Sequence, residues 1–556
     1  MIKKLLYSIV FIIIAFIIAF LIYFKLAITI NPPTPNDLSP LELKRLKIAD
    51  DHYTCGSSWL RRSNTGLWEL YVEGSAFERG VIIGKLTKEL LKKQEGAFVG
   101  QINKMISSKI YLYFLKYFVA WFNRNIDSYI DEEYKLEIYG VSFSASDEYS
   151  FVGPKYQRIL NYHAAHDIGH ALQDLNMVGC TSFSGWDQKT DDSSLIVGRN
   201  FDFYVGDEFA EDKIIYFYNP EKGYKFMMVS WAGMIGAVSG MNEKGLTVTL
   251  NAARSEIPES AATPISIVAR EILQFAKNID EAASIAAKRK TFVSESIMIG
   301  SFKDNKTVII EKSPHKTGLF SPKNNFIICT NHFQGDAFSN DKRNIENIKE
   351  SSSLCRHARV FELINKYQKI NVKNTAEILR DQNGLNDKNI GMGNEKAINQ
   401  LIAHHSIIFK PSKQLVWIST NPFQLGEYVA YDLKRIFNDP GLLEKKEEIY
   451  EKGLVIPADT FLVSDDYRKF LQFKKIKKRI RDCIGSDEII ILNEEIINEF
   501  VSTNPEYYLV YSILGDYYKK INKFAKAKKY YDIALTKEIP AANELIHIKK
   551  ELNTIN

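Results

Sequence analysis

Only five cysteines, Cys55, Cys180, Cys329, Cys355 and Cys483, are spread through 556 residues, and no two of them form a C-x-x-C pair. That excludes the common zinc and dithiol redox motifs. Charge of one sign is equally scarce. A net +5 over this length is too little to argue for a nucleic-acid partner, and no nucleic-acid-binding motif is present. Long apolar runs are lacking except at 5–24, preceded by Lys3 and Lys4 and closed by Lys25. This run matches a bilayer core and exceeds the roughly 7–15 residues of a signal-peptide core. The leading lysines favour a cytoplasmic N-terminus, with the remaining chain periplasmic or extracellular. A single-pass, uncleaved signal anchor is the expectation, with a cleaved signal sequence as the alternative. No cysteine ends the run, which argues against a lipid-modified N-terminus. In an oxidising compartment Cys180 is the candidate odd thiol, the pairing of the other four being open.

The length calls for two or three domains, and 45% hydrophobic with 25% charged residues is a globular balance. The expected division is 1–30 anchor, 31–179 prosegment or small subunit, 180–441 catalytic domain and 442–556 helical tail. Asn31-Pro32-Pro33-Thr34-Pro35-Asn36 is a stiff, extended spacer. Segments 59–62 and 67–72 flank a Ser-Asn-Thr-Gly turn and predict a hairpin. A helix is expected from Gly74 to about Lys93, then an aromatic helix at 110–122 assigned to the core. After Cys180 short strands take over, at 195–204, 214–218, 224–230, 237–241 and 246–252. Residues 264–288 have helical spacing, with Pro264 in the first turn. Strands return at 296–302, 307–312 and 326–330, followed by a helix at 354–367 and a last hairpin, 405–409 with 415–420. Strand blocks interrupted by helices indicate an α+β layered fold.

The chemistry concentrates at Gly179-Cys180, with Arg199 and Asp202 about twenty residues on. A cysteine exposed as a new N-terminus would carry a thiol nucleophile and, in its α-amine (unperturbed pKa about 7.7–8.0), a base that relays the proton. Arg199 supplies a cation favouring thiolate, and Asp202 a carboxylate to hold the amine. Glycine before the nucleophile suits a strained carbonyl within reach of the thiol.

The run from Gly179-Cys180 through Arg199-Asn200-Phe201-Asp202 resembles the acyl-coenzyme A:6-aminopenicillanic acid acyltransferase family of N-terminal-nucleophile (Ntn) hydrolases, and more distantly choloylglycine hydrolases and penicillin V acylases. Further matches follow in order at Met241-Asn242-Glu243-Lys244-Gly245-Leu246, Leu250-Asn251, Thr330-Asn331-His332-Phe333, Cys355-Arg356-His357-Ala358-Arg359 and His404-His405-Ser406. The resemblance implies a four-layer αββα sandwich and self-cleavage between Gly179 and Cys180. It makes Cys180 the nucleophile, with Arg199 steadying the thiolate and Asp202 binding the new amine. Asn251 becomes the oxyanion donor, and Asn331 holds the amine end or the substrate carbonyl. Arg356 is the distal arginine, with Arg359 as competitor. The implied activity is that of an amidohydrolase or acyltransferase working through a thioester acyl-enzyme on N-acyl small molecules, an acyl thioester being the other possible donor. No cofactor or metal is called for.

Each of these residues also has a plainer reading. A cysteine after glycine is ordinarily a small buried hydrophobe, Asn251 and Asn331 can bond backbone at strand ends, and Arg199 with Asp202 can be a structural ion pair. His163, His166, Asp167 and His170 share a helical face with metal-like spacing, for which a structural or processing role is at least as natural. His404 and His405 suit packing or surface polarity. The basic run 474–479 suits a solvated helix face. Tyr511, Leu514, Gly515, Tyr518, Ala527, Tyr531 and Ala534, followed by Pro540, have the spacing of one tetratricopeptide (TPR) helix pair, enough to cap or dock. The expected partners are therefore a small N-acyl substrate, the membrane and a protein bound by the tail. The alternative to an enzyme is an inactive acylase-fold scaffold that presents this tail. A papain-like protease is disfavoured, because no C-G-x-C-W-like run surrounds Cys180.

Overall fold

The computed structural model describes residues 2–106, 108–164, 167, 179–204, 206–256, 258, 260–439 and 447–555. His166, His170 and Val178, and the expected boundary at 441/442, lie outside them. The apolar N-terminal run forms one helix, Ile2–Ala27, with no buried side chain over Lys4–Ala27. It is long and apolar enough to cross a membrane, or to serve as a signal sequence.

Strands β1 (Arg45–Ala49), β2 (His52–Cys55), β3 (Ser58–Arg62) and β4 (Trp68–Gly74) follow that helix and precede the other α-helices of the N-terminal part. Beyond Cys180 come β5 (Thr181–Asp187), β6 (Ser193–Phe201), β7 (Ile214–Pro220), β8 (Phe226–Ser230), β9 (Ser239–Asn242) and β10 (Leu246–Ala252). Then follow β11 (Glu295–Ser301), β12 (Lys306–Lys312), β13 (Thr317–Phe320), β14 (Phe326–Cys329), β15 (His405–Lys410), β16 (Leu415–Ser419) and β17 (Tyr428–Asp432). Among the described residues they build two sheets. One has eleven strands in the order β1-β2-β3-β4-β7-β8-β9-β10-β11-β12-β13, and the other six in the order β14-β5-β6-β15-β16-β17. Neighbours are antiparallel except β4 and β7, which run parallel with Leu70 opposite Tyr216. Residues ahead of Cys180 thus share a sheet with residues after it.

Alternation along the strands sorts the core into apolar clusters. Ile215, Phe217, Met227, Val229 and Met298 of the larger sheet pack with Val197, Ile407, Val416 and Ile418 of the smaller. The opposite face of the larger sheet, with Leu70, Tyr216 and Met228, meets Ile82 and Ile83 of helix Ala76–Leu86, Ile138 of helix Glu132–Ser142, and Val268 and Ile272 of helix Ile265–Phe275. The opposite face of the smaller sheet, with Phe183, Ile408 and Trp417, meets Val360 and Ile364 of helix Ser353–Tyr367 and Leu379 of helix Val372–Leu379. Helices Ala76–Leu86 and Glu132–Ser142 cross where Gly80 and Gly140 let the backbones touch. A Cβ on Gly80 would overlap the Glu137 carbonyl.

Several expectations need correction. The helix expected from Gly74 to Lys93 is two, Ala76–Leu86 and Lys88–Met105, joined at Thr87, whose hydroxyl donates to Ile83 O (2.7 Å). Pro264 is the N-cap of Ile265–Phe275, not a first-turn residue, and a second helix, Ile279–Lys288, follows. Strands β1, β2, β5, β13 and β17 were not expected. The aromatic helix Lys109–Phe122 is not core: Ile110, Tyr111, Tyr113, Phe114 and Phe118 are exposed. Its inner side holds Phe24 at the end of the N-terminal helix, stacked on Trp121 with centroids 5.4 Å apart. The five cysteines are all free thiols.

Helices Asp465–Gly485, Glu494–Thr503, Tyr508–Lys520, Phe524–Ala534 and Ala542–Asn553 make the C-terminal part, with a cluster around Phe473, Phe500, Tyr507 and Leu514. Gly515 packs against the Tyr531 ring, so a Cβ there would overlap the ring. This cluster takes in Leu401 and Leu425 from the body of the molecule. The side chain of Asn504 accepts from Met392 N (3.0 Å) and donates to Met392 O (2.9 Å), and Asn394 Nδ2 donates to Glu538 O (2.9 Å).

Candidate active site around Cys180

Cys180 immediately precedes β5, and in the β5–β6 register Thr181 faces Asn200 while Ser182 faces Arg199. The short connection between these strands returns the chain, so Arg199 and Asp202 arrive beside the thiol. The guanidinium of Arg199 donates from Nη2 towards Cys180 Sγ (3.8 Å). It is anchored by bonds to Val238 O (2.8 Å), Ser239 Oγ and Leu250 O. Ser239 Oγ also meets His405 Nε2 at 2.8 Å, and His405 meets His404 through their Nδ1 atoms (2.9 Å). Both histidines are fully buried, which corrects the surface-polarity reading in favour of packing behind Arg199.

Burial dominates the electrostatics. It pushes the Cys180 thiol up to about 11 despite the opposing charge of Arg199. Burial also raises the Asp202 carboxyl to about 7, against the pull of Arg356 and Arg199. Neither carboxyl oxygen of Asp202 has a hydrogen bond, although the group is wholly buried. Its backbone carbonyl, by contrast, accepts from Gly179 N (3.0 Å) and lies 3.9 Å from the thiol. Glu295 on β11 is also buried close enough to raise the thiol further, and its own carboxyl is pushed well above the usual range by desolvation.

The Gly179–Cys180 peptide is held by donors. Arg356 Nη1 donates to Gly179 O (2.8 Å), Cys180 O (2.6 Å) and Thr181 Oγ1 (3.0 Å), while its Nη2 donates to Asn331 Oδ1 (2.8 Å). Asn331 Nδ2 in turn donates to Ala252 O (2.9 Å). Arg359 points elsewhere, into ion pairs with Asp381 (2.8 Å), Asp387 (2.6 Å) and Glu362 (3.0 Å). Of the two candidate arginines, only Arg356 is on the Gly179–Cys180 peptide. Asn251 sits on β10 across from β5, accepting from Ser182 Oγ (2.8 Å) and donating to Cys329 O (2.9 Å). An amide carries two N–H donors, so one is committed to the backbone.

His163 is outside this constellation. Its Nδ1 bonds Ile159 O (2.9 Å) and its Nε2 accepts from Ile235 N (3.0 Å), and burial lowers its pKa to about 4. Asp167 Oδ2 accepts from Ile265 N (2.8 Å), at the start of helix Ile265–Phe275. Both are committed to backbone.

A thiol, a neighbouring guanidinium, a buried carboxyl and a second guanidinium on the adjoining Gly179 carbonyl form a set able to perform acyl transfer. Residues 186–422 match the acyl-coenzyme A:6-aminopenicillanic acid acyl-transferase family. The matched stretch contains Arg199, Asp202, Asn251, Asn331 and Arg356, and begins just past Cys180. It supports an Ntn-hydrolase or acyltransferase fold, a group whose members are enzymes.

Curated relatives include a protein of Archaeoglobus fulgidus described only as uncharacterized, 23% identical over 190 residues (32% of this chain, 31% of that one). Protein dcd1B of Dictyostelium discoideum is 22% identical over 276 residues (46% and 52%), and its dcd1A is 22% identical over 283 residues (46% and 60%). The chain spans less than two thirds of each relative's length. Among solved structures, the Caenorhabditis elegans N-acylethanolamine-hydrolyzing acid amidase ortholog is 16% identical with a TM-score of 0.31, covering 42% of this chain and 93% of that one. A mutant conjugated bile acid hydrolase from Clostridium perfringens is 14% identical with a TM-score of 0.32, covering 46% and 93%. Scores this low carry no argument about the present chain.

Sequence reasoning missed Gln400 within the matched acyl-transferase segment. Its Nε2 donates to Gly179 O (2.7 Å) across 221 residues of chain. It lies in a loop without periodicity or motif, so nothing local announces it. A small cavity bordered by Phe203, next in the chain to Asp202, was also not foreseen. Phe209, Trp231 and Met234 line it together with the polar Gln94 and Glu95.

Proposed function

We propose that the chain is a membrane-anchored, self-processing N-terminal-cysteine amidohydrolase or acyltransferase. It acts outside the cytoplasm on N-acyl small molecules through a thioester acyl-enzyme. The observation that carries this reading is the Asp202 carboxyl, buried and without a hydrogen bond beside the 179–180 peptide. A buried carboxyl in that condition is costly, and an α-ammonium released at Cys180 would satisfy it.

In the first reaction Cys180 Sγ adds to the Gly179 carbonyl carbon, closing a five-membered ring. The C–N bond breaks, the thiol proton ends on the departing nitrogen, and Gly179 is left as a thioester on sulfur. Water hydrolyses that thioester, giving a Gly179 carboxylate and an N-terminal cysteine. In turnover the same sulfur, with Arg199 beside it (3.8 Å) favouring thiolate, adds to the substrate's amide carbonyl; the C–N bond breaks, the amine leaves with a proton relayed through the Cys180 α-amine, and water then hydrolyses the thioester to a carboxylate. The free second N–H of Asn251 serves the oxyanion, and Arg356 keeps Asn331 oriented through their 2.8 Å bond. Hydrolysis is favoured over transfer, because water is abundant outside the cytoplasm and coenzyme A is not.

The three apolar clusters support an αββα layering. Helix pair Tyr508–Lys520 and Phe524–Ala534, closed by Gly515 on Tyr531, supports a TPR-like tail available to a protein partner. Because β4 pairs with β7, the segment ahead of the cut stays bound after processing. The Ile2–Ala27 helix tethers the enzyme, with the exposed aromatic helix Lys109–Phe122 at the membrane surface. Intact mass of the purified full chain tests the reading. Wild type is expected as two fragments meeting at 179/180 and Cys180→Ala as one chain; an uncut but fully active wild type would sink it. An inactive scaffold would in addition leave Cys180 unlabelled by an electrophilic acyl probe.

A further inference from the structure

We propose that Gln400 is a catalytic residue of the self-cleavage step, its side-chain amide being an oxyanion donor for the Gly179 carbonyl. This rests on the self-processing reading above, and separates the donors of maturation from the donor assigned to turnover.

When the thiol adds to Gly179, charge develops on Gly179 O. Two donors already lie on that atom, Gln400 Nε2 at 2.7 Å and Arg356 Nη1 at 2.8 Å. These are the distances at which a preorganised donor stabilises an oxyanion, and both side chains are buried, where such bonds count most. Asn251 makes no hydrogen bond to this oxygen; its amide bonds Cys329 O and Ser182 Oγ instead.

The two donors are held differently. Arg356 also grips Cys180 O and Thr181 Oγ1, atoms that remain on the new N-terminal side. Gln400 addresses the departing side. Its neighbours fix it: Asn399 N donates to Asp381 O (2.8 Å), and Leu401 N donates to Asn399 Oδ1 (3.0 Å). Leu401 itself adopts a left-handed backbone (φ 55°) and is buried in the C-terminal cluster. Gly179 fits the same account. Its φ is not in the left-handed region, so conformational freedom does not explain the glycine. A Cβ at residue 179 would instead overlap the Gln400 amide and drive it off the carbonyl.

Pulse-labelled full chain in isolated membranes, chased and resolved by mass, reads the cutting rate. Gln400→Glu keeps the shape but replaces the amide donor, and Gln400→Leu removes polarity. Both are expected to slow cutting about 100- to 1,000-fold. The ratio of Gln400→Glu to wild type should rise as pH falls and the acid regains a proton to donate, while that of Gln400→Leu stays flat. Gly179→Ala should slow cutting as well, and adding Gln400→Glu to it should cost little more, because both remove one bond. Thermal unfolding on the Cys180→Ala background separates misfolding from lost chemistry, and matched melting with slow cutting supports the assignment. Wild-type cutting matched by both Gln400 variants overturns it while leaving self-processing intact. A wild type that never cuts overturns both.

Discussion

Two carboxyls in this molecule are equally hidden from water and behave oppositely. Glu137 lies between two buried arginines. It accepts from Arg79 Nη2 (2.9 Å) and Nε (3.2 Å) and from Arg270 Nη1 and Nη2 (3.3 Å each). Those partners outweigh desolvation and hold it below the usual carboxylate range. Asp202 has charges nearby but no hydrogen bond, and desolvation lifts it to about 7. Burial alone therefore does not set the titration of a buried acid; directed donors do. The first group is a finished structural joint, and the second has its binding capacity unspent.

The comparison breaks most violently at the finished joint. Glu137→Ala leaves Arg270 buried without its anion and Arg79 with Glu133 alone (3.0 Å), and is expected to cost about 3–5 kcal/mol, read by denaturant unfolding of the full chain. An unchanged midpoint would mean that water replaces the carboxylate. Gly80→Val attacks the same joint sterically, forcing a side chain against the Glu137 carbonyl, and should cost roughly 1–3 kcal/mol.

At the unfinished site the sign reverses. The native pKa of Asp202, about 7, stands above its ordinary 3.8, so the folded chain binds a proton that the unfolded chain has released. Its contribution to stability is fully present below about 3.8 and is lost as pH rises through about 7. In uncut Cys180→Ala protein, Asp202→Asn should therefore stabilise at pH 8, by roughly 2–4 kcal/mol, and scarcely at pH 4. Equal gains at both pH values would remove the buried charge from the account. Glu137 predicts the opposite slope, its contribution being lost only as pH falls below the usual carboxylate range. Smallest of all, Arg359→Ala should leave cutting at 179/180 within a few-fold of wild type, since its ion pairs lie away from the thiol. Arg356→Ala should not.

Much of the arrangement could be read from local chemistry. Asn219-Pro220-Glu221-Lys222-Gly223 and Asn242-Glu243-Lys244-Gly245 announced the β7–β8 and β9–β10 turns because turn residues act within a few positions. Cys180, Arg199 and Asp202 were legible because one tight strand pair brings them together. Arg356 could not be separated from Arg359 by sequence, as both lie three residues apart on helix Ser353–Tyr367 and only the partners of each tell them apart. The helix Lys109–Phe122 was misjudged for a related reason: aromatic content does not say which solvent a helix faces. Gln400 was invisible because its partner, Gly179, lies far off in sequence.

The loop bearing Gln400 is braced by the C-terminal helical part, through Asn504 on Met392, Glu538 on Asn394, and Leu401 within that part's apolar cluster. If scission at 179 depends on that loop, a chain whose helical part has not yet docked would be unable to cut itself. Maturation would then act as an assembly check: molecules lacking those helices would remain inert precursors.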